Sequence, residues 1–181
     1  MTAATYWSQR LQQGTANGAG VVANEVLAAH ETRLDLTAQA VATTHAAGAG
    51  YGSLKIYDFP IGMLEFYDAQ INLALTAASG IGATATVRAS LGTTATVNAT
   101  LSGNEANLMP EASVVLSGSA GTITGQMTAT ERAAALFTDG TVTAKDLYLN
   151  FGITSGVTTD STITCTGVVS ITWVNHGDIT G

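Results

Sequence analysis

Basic side chains are scarce in this chain. Two lysines (Lys55, Lys145) and four arginines (Arg10, Arg33, Arg88, Arg132) stand singly against 13 acidic residues, giving a net charge of −7. Binding nucleic acid through its phosphates takes a cluster of Lys and Arg, so nucleic acid is not expected as a partner. Cysteine is nearly absent: Cys165 alone excludes an intrachain disulfide framework and leans towards assembly in a reducing cytoplasm. No run approaches 18 apolar residues, and the start, "MTAATYWSQRLQQGTANG", has no basic segment followed by an apolar core. Neither a membrane partner nor Sec-type export is expected.

Residues able to do chemistry are few. His30, His45 and His176 are the three histidines, no two at metal-ligand spacing, and the paired histidines of a cupin-type metal site are missing. His176 in "NHGD", with Asp178 two residues on, reads as the turn or tail after a last strand before it reads as half of a hydrolytic pair. Glu65 and Asp68 differ in parity along an extended strand and are expected on opposite faces, as solvent-facing charges and not as a carboxylate pair; Asp58 lies nearby in sequence. "GAGYG" at 48–52 and "GIGATA" at 80–85 lack the strand-to-helix setting and the lysine of a phosphate loop, so both are read as turns. "FTDGT" offers one aspartate, too few for a calcium loop, and Asp139-Gly140 is read as a chain reversal. Tyr6, Trp7, Tyr51, Tyr57, Tyr67, Tyr148 and Trp173 are expected in core or interface packing, not in a sugar site. The expectation is a non-enzyme with no catalytic residues, cofactor or metal.

What the chain has in quantity is Ala (30), Thr (29) and Gly (20). Charged residues make up 10%, against about 25% in an average soluble domain. Much of the surface must then be Thr, Ser, Asn and Ala, a surface suited to being covered by neighbours in an assembly. At 181 residues one domain buries about two thirds of its unfolded surface and needs no staple.

A two-residue period dominates from Arg33 onward. In "TAKDLYLNFGI", Leu147, Leu149, Phe151 and Ile153 alternate with Asp146, Tyr148 and Asn150, the pattern of a half-buried strand. Leu34, Leu36, Ala38 and Ala40 alternate in a first strand, "THAAGAGYG" is read as a loop, and "SLKIYDF" as a second strand ended by Pro60 and Gly62. In "MLEFYDAQINLALTAA", Tyr67, Ala69, Ile71, Leu73 and Leu75 are expected to share the inner face. "ATATVRASLG" and "TATVNATLSG" suggest two antiparallel strands around "LGTT", and "SVVLSG" with "TITGQMTA" another pair. Thr128 and Glu131 have capping-box spacing at the head of one short helix. In "STITCTGVVSITWV", Ile163, Cys165, Val169, Ile171 and Trp173 share a face, with Gly167 marking a bend or bulge. About eight short strands with almost no helix indicate an all-β protein, an antiparallel β-sandwich of jelly-roll-like topology. Residues 1–32 read as an N-terminal arm and 33–181 as the sandwich domain, because "GTANGAG" interrupts the first segment and no period organises Tyr6, Trp7, Leu11, Val21, Val22 and Leu27.

Three stretches, "LKIYDFPIGMLEFYDAQINL", "ALFTDGTVTAKDLYLNFGI" and "DSTITCTGVVSITWVNHGD", resemble a family of head decoration, or cement, proteins of tailed bacteriophages. The matching motifs are Ile56 to Gly62, Asp139 to Asn150 and Thr172 to Asp178, within residues 51 to 178; none is catalytic. The resemblance implies a jelly-roll-like homotrimer, made in the host cytoplasm, that binds the major capsid protein on the outer surface of the virion and bridges neighbouring capsomers. Tyr6, Trp7 and Leu11 are the expected capsid or neighbour contacts, since aromatic anchors dominate interfaces. The alternative is a virion fibre, knob or carbohydrate-binding adhesion module built on the same sandwich.

Overall fold

A computed structural model describes residues 15–16, 21–27, 29–134, 138–140 and 145–176. The strands, in chain order, are β1 (Thr15–Ala16), β2 (Val21–Leu27), β3 (His30–Ala46), β4 (Ala49–Asp58), β5 (Gly62–Ala77), β6 (Thr86–Gly92), β7 (Met109–Val115), β8 (Ala120–Gln126), β9 (Thr138–Gly140), β10 (Asp146–Ile153) and β11 (Ser161–Asn175). A six-residue helix, α1 (Ala129–Ala134), follows β8. Its Glu131 carboxylate accepts the Thr128 N–H at 3.2 Å and the Thr128 hydroxyl, which closes the first turn where the capping spacing predicts it.

All pairings are antiparallel, and they nest. β3 pairs β11, β4 pairs β10, β5 pairs β8 and β6 pairs β7. The full path is β7-β6-β10-β4-β3-β11-β5-β8, a sheet wrapped nearly into a barrel and flattened into two layers. Layer one is β7-β6-β10-β4 and layer two is β3-β11-β5-β8. They are joined at one edge by three residue pairs between β3 and β4 and at the other by the β7–β8 hairpin with its single bridge, Ser117 to Ala120. This is the all-β, antiparallel sandwich that the strand periodicity predicts. The first segment adds to it: β2 pairs β3 along His30–Leu36 and β1 pairs β4 at Tyr57 and Asp58.

The inner faces follow the alternation. Leu147, Leu149, Phe151 and Ile153 of β10 and Ile163, Cys165, Val169, Ile171 and Trp173 of β11 all lie in the core. At one end Trp173 meets Phe59 and Tyr57 edge to face, with ring centroids 5.3 and 6.4 Å away, and Phe59 meets Phe66 at 5.0 Å. The indole N–H donates to the Thr32 hydroxyl at 2.9 Å, so the large ring is buried with its one polar group satisfied.

Five readings of the sequence are corrected, two of them by an inserted residue. In β3 the inner face runs Leu34, Leu36 and then Val41, Thr43; Ala38 and Ala40 point outward. Ala38 adopts φ 48°, and Thr37 and Ala38 together oppose the single residue Thr166, a β-bulge. The Ala38 N–H, released from the ladder, donates to the Thr166 hydroxyl at 3.0 Å. Gly167 sits opposite because a Cβ there would lie 2.1 Å from the Asn72 carbonyl oxygen. A second bulge in β5 opposes Tyr67 to no residue of β11, so Leu64 and Phe66 face inward, Tyr67 faces solvent, and the inner set resumes at Ala69.

"THAAGAGYG" is a hairpin, not a loop: Ala46 pairs Ala49 across a two-residue turn, with φ 50° at Ala47 and 85° at Gly48, the signs a type I′ turn needs. Asp139 and Gly140 lie in β9, paired to Met63 and Gly62, and do not form the expected reversal. Finally, "TATVNATLSG" forms no strand. After β6 the chain leaves the sheet and residues 93–108 cross the outside of layer one.

Candidate binding surfaces

The crossing segment, a strap, is held by polar side chains of the sheet beneath it. Asn150 projects from the outer face of β10, as its parity predicts, yet is fully buried. Its amide nitrogen donates to the carbonyls of Thr94 (3.0 Å) and Glu105 (2.8 Å), and its oxygen accepts from the Ser53 hydroxyl (2.6 Å) and the Thr96 N–H (3.0 Å). Ser90 donates to Glu105 O at 2.8 Å. Two strand glycines let the strap lie flat: a Cβ at Gly152 would stand 2.4 Å from Ala99 O, and one at Gly92 2.3 Å from Asn104 O. Leu101 and Leu108 turn down into the protein, while Val97 stands 72% exposed on top. The middle of the outer face of layer one, over β6 and β10, is therefore covered by the chain itself, while Glu111 and Val115 of β7 and Lys55 of β4 stay at the surface. The signal for this was an Asn and two Gly inside otherwise regular strands, each a poor strand former unless something approaches closely.

The outer face of layer two carries no such cover among the described residues. β11, at its centre, has no charged residue along its length. Row by row across β3, β11, β5 and β8 the register sets Ala40, Thr164, Thr76 and Ala120 side by side, and next to them Thr166, Ala74 and Thr122. At one end Asp160 accepts the His45 N–H at 2.7 Å, and charge runs from the middle of the face, where Asp35 pairs Val168, to the other end, where Arg33, Glu31, Asp68 and Glu65 lie.

That end holds the polar clusters. The bulge at Tyr67 brings Glu65 and Asp68 to the same outer face, against the expectation from parity. They are not a pair. Glu65 accepts from or shares a proton with His176 Nε2 at 2.7 Å, and the Tyr67 hydroxyl and His176 hold its carboxyl below the usual range. Asp68 accepts from the amide of Gln70 and, at 3.5 Å, that of Gln126. On the other layer Lys55 reaches Asp58 at 2.8 Å and Asp146 at 3.7 Å. Its hydrogen bond to Asp58, with help from Asp146, raises the ammonium pKa. Tyr148 donates to Asp146 at 3.1 Å.

The remaining candidates separate. His30 stacks on Trp173 at 4.2 Å and His45 Nε2 accepts the Gly48 N–H at 3.0 Å. Among the described residues no three of His, Cys, Asp and Glu group to hold a metal, and no helix is long and apolar enough to cross a membrane. Tyr57 and Trp173 are core; Tyr51 and Tyr148 are half-buried and Tyr67 is exposed. Tyr6, Trp7, Leu11 and Asp178 lie outside the described residues.

The three motifs that carry the resemblance meet in space. The Phe59 N–H donates to Lys145 O at 2.8 Å, and Asp58 and Tyr57 pair Asp146 and Leu147. Asn175 Nδ2 donates to Ile61 O at 3.1 Å, and a Cβ at Gly62 would strike the Asn175 amide. No family model matches the chain, and no curated protein matches it.

Proposed function

We propose that the protein is a head decoration protein of a tailed bacteriophage, bound to the major capsid protein on the outside of the shell and stabilising it by bridging capsomers. The observation that supports this reading is the convergence of the three motifs: segments far apart in sequence, 56–62, 145–150 and 172–176, build one end of the sandwich, with Trp173, Phe59 and Tyr57 inside it and the Lys55, Asp58 and Asp146 group outside. That the three motifs fold into one block supports reading the resemblance as one of architecture. A surface poor in charge suits a protein enclosed among neighbours. The mechanism is mass action, since a protein that binds only the assembled shell stabilises it by its binding free energy, repeated over many sites.

Copy number on purified particles tests the reading. Hundreds of copies per head, measured by quantitative gel against the major capsid protein, support decoration. A handful of copies together with glycan binding by the isolated protein contradicts it in favour of a fibre, knob or adhesion module.

A further inference from the structure

We propose that the two free edges of the sandwich, β7 and β8, join copies of this chain head to tail about a three-fold axis, β8 of each copy adding to β7 of the next. The number three rests on the resemblance behind the decoration reading, and the choice of edges rests on the fold alone.

The sandwich has two seams, and the chain fills one of them. Where the β3–β4 hairpin opens after three residue pairs, β1 adds to β4 and β2 adds to β3. Where the β7–β8 hairpin opens after its bridge from Ser117 to Ala120, no strand is added among the described residues. Beyond that bridge the two strands face each other across the core. A Cβ at Gly125 would stand 3.0 Å from the Ala112 Cβ, and one at Gly121 3.1 Å from a Val114 methyl. The outer edges of β7 and β8 therefore open on the same side of the molecule.

The ladders show which backbone groups are free there. The Met127 N–H donates to Ala69 O at 2.7 Å and the Ala77 N–H to Ser119 O at 2.8 Å. By alternation Gly121, Ile123 and Gly125 bond β5, and Thr122 and Thr124 turn their N–H and C=O outward. The Leu116 N–H donates to Ala85 O at 3.0 Å, so Val114 and Ala112 bond β6, and Ser113 and Val115 turn theirs outward. Pro110 and Glu111 guard the start of β7, but β8 carries no charge and no proline to blunt its edge. Val115 is 63% exposed, and Ala112 and Val114 are half-buried, so apolar packing runs out to this seam.

Two adjacent edges of opposite direction select a second copy as the occupant. A rotation about an axis along the strands keeps every residue at its own height. Val115 then meets Thr122 of the next copy and Ser113 meets Thr124, the residues that the hairpin register from Ser117 and Ala120 sets level. These are the four whose N–H and C=O point outward, and the pairing is antiparallel, like every other in the sheet. A head-to-tail contact that closes into a ring uses every free edge, whereas one extended peptide leaves an edge unpaired. The rows that meet continue into Thr86 and Arg88 of β6 and into Asn72 and Ala74 of β5. Arg88 is the one charge among them, and it is bonded to Glu111 at 3.0 Å.

Sedimentation of the full chain from about 1 to 100 µM, at physiological salt, is expected to show a trimer. Thr124→Pro removes an N–H that the single copy does not use, so it is expected to fold and to weaken the trimer at least about 100-fold, while Val97→Arg on the strap leaves it unchanged. Paired cysteines supply a second measurement that does not depend on the proline variant. A hydrogen-bonded antiparallel pair sets its Cα atoms about 5.5 Å apart, within disulfide reach. Cys165 stays silent because it is buried, its thiol pushed up to about 11 by desolvation. Ser113→Cys and Thr124→Cys copies expressed together are expected to link to each other on mild oxidation, and neither variant alone does so. A monomer at about 100 µM, a ring of another size, a trimer that Thr124→Pro leaves as tight, or co-expressed variants that do not cross-link would each overturn the proposal. A trimer without the cross-link sinks the edge pairing and leaves the decoration reading standing. A handful of copies per head sinks that reading and leaves the ring, which both measurements read on purified protein.

Discussion

Asn150→Ala should loosen the strap at 93–108 while leaving the sandwich folded. Asn150 makes four hydrogen bonds from a fully buried position, but the partners do not depend on it equally. The Thr96 N–H also reaches the Ser53 hydroxyl at 2.9 Å, and Glu105 O also accepts from Ser90 at 2.8 Å. Thr94 O and the Ser53 hydroxyl proton are the groups left without a partner. Of the four bonds lost, the two without a replacement count about 1 kcal/mol each, which with the desolvated orphans that water partly rescues gives about 3 kcal/mol. For a domain of this size that is a fall in Tm of about 6–12 °C. Thermal denaturation reads the total, and hydrogen exchange locates it: amides of 93–108 should lose protection first, while those of β11 keep theirs. A loss under about 1 kcal/mol, or exchange rising equally across β11, would refute the view that Asn150 anchors the strap.

Three further outcomes follow from the same packing. Gly152→Ala places a Cβ 2.4 Å from Ala99 O and should cost about 2–4 kcal/mol by displacing the strap, read as a lower Tm with the same local rise in exchange. Thr43 carries a buried hydroxyl without a partner, so Thr43→Val should stabilise by about 1 kcal/mol, seen as a Tm raised by about 2–4 °C. Glu65 has its carboxyl held below the ordinary range by Tyr67 and His176. The unfolded chain therefore binds the proton more readily, and the contribution of Glu65 is present above its unfolded pKa of about 4.3 and lost as pH falls through the folded value. Glu65→Gln should flatten the acid limb of a Tm profile between about pH 3 and 5, and an unchanged limb would contradict this assignment.

The sequence spoke most clearly where one face was strictly apolar and uninterrupted. β10 and β11 are legible because Leu147 to Ile153 and Ile163 to Trp173 keep their phase, and Gly167 announces the one irregularity. β3 misleads because alanines at 38, 40 and 42 suit either face, so the single inserted residue at Ala38 reverses the parity unseen. In β5 the apolar neighbours Phe66 and Tyr67 hide the same event. The β3–β4 turn uses Ala47 at positive φ, where Asn or Gly would have signalled it. The strap imitates a strand in composition, and only its partners in the sheet, Asn150, Gly92 and Gly152, distinguish it. The candidate surface was less legible still: which Thr and Ala share the open face depends on the two bulges, and on the strap covering the other layer. The contacts expected at Tyr6, Trp7 and Leu11 fall outside the described residues.

Heating purified heads with and without this protein, while DNA release is followed by dye fluorescence, tests the functional account most directly. Release at a lower temperature from heads lacking the protein, restored when purified protein is added back, is the predicted result. Identical release curves for heads with and without it would contradict a role in stabilising the shell.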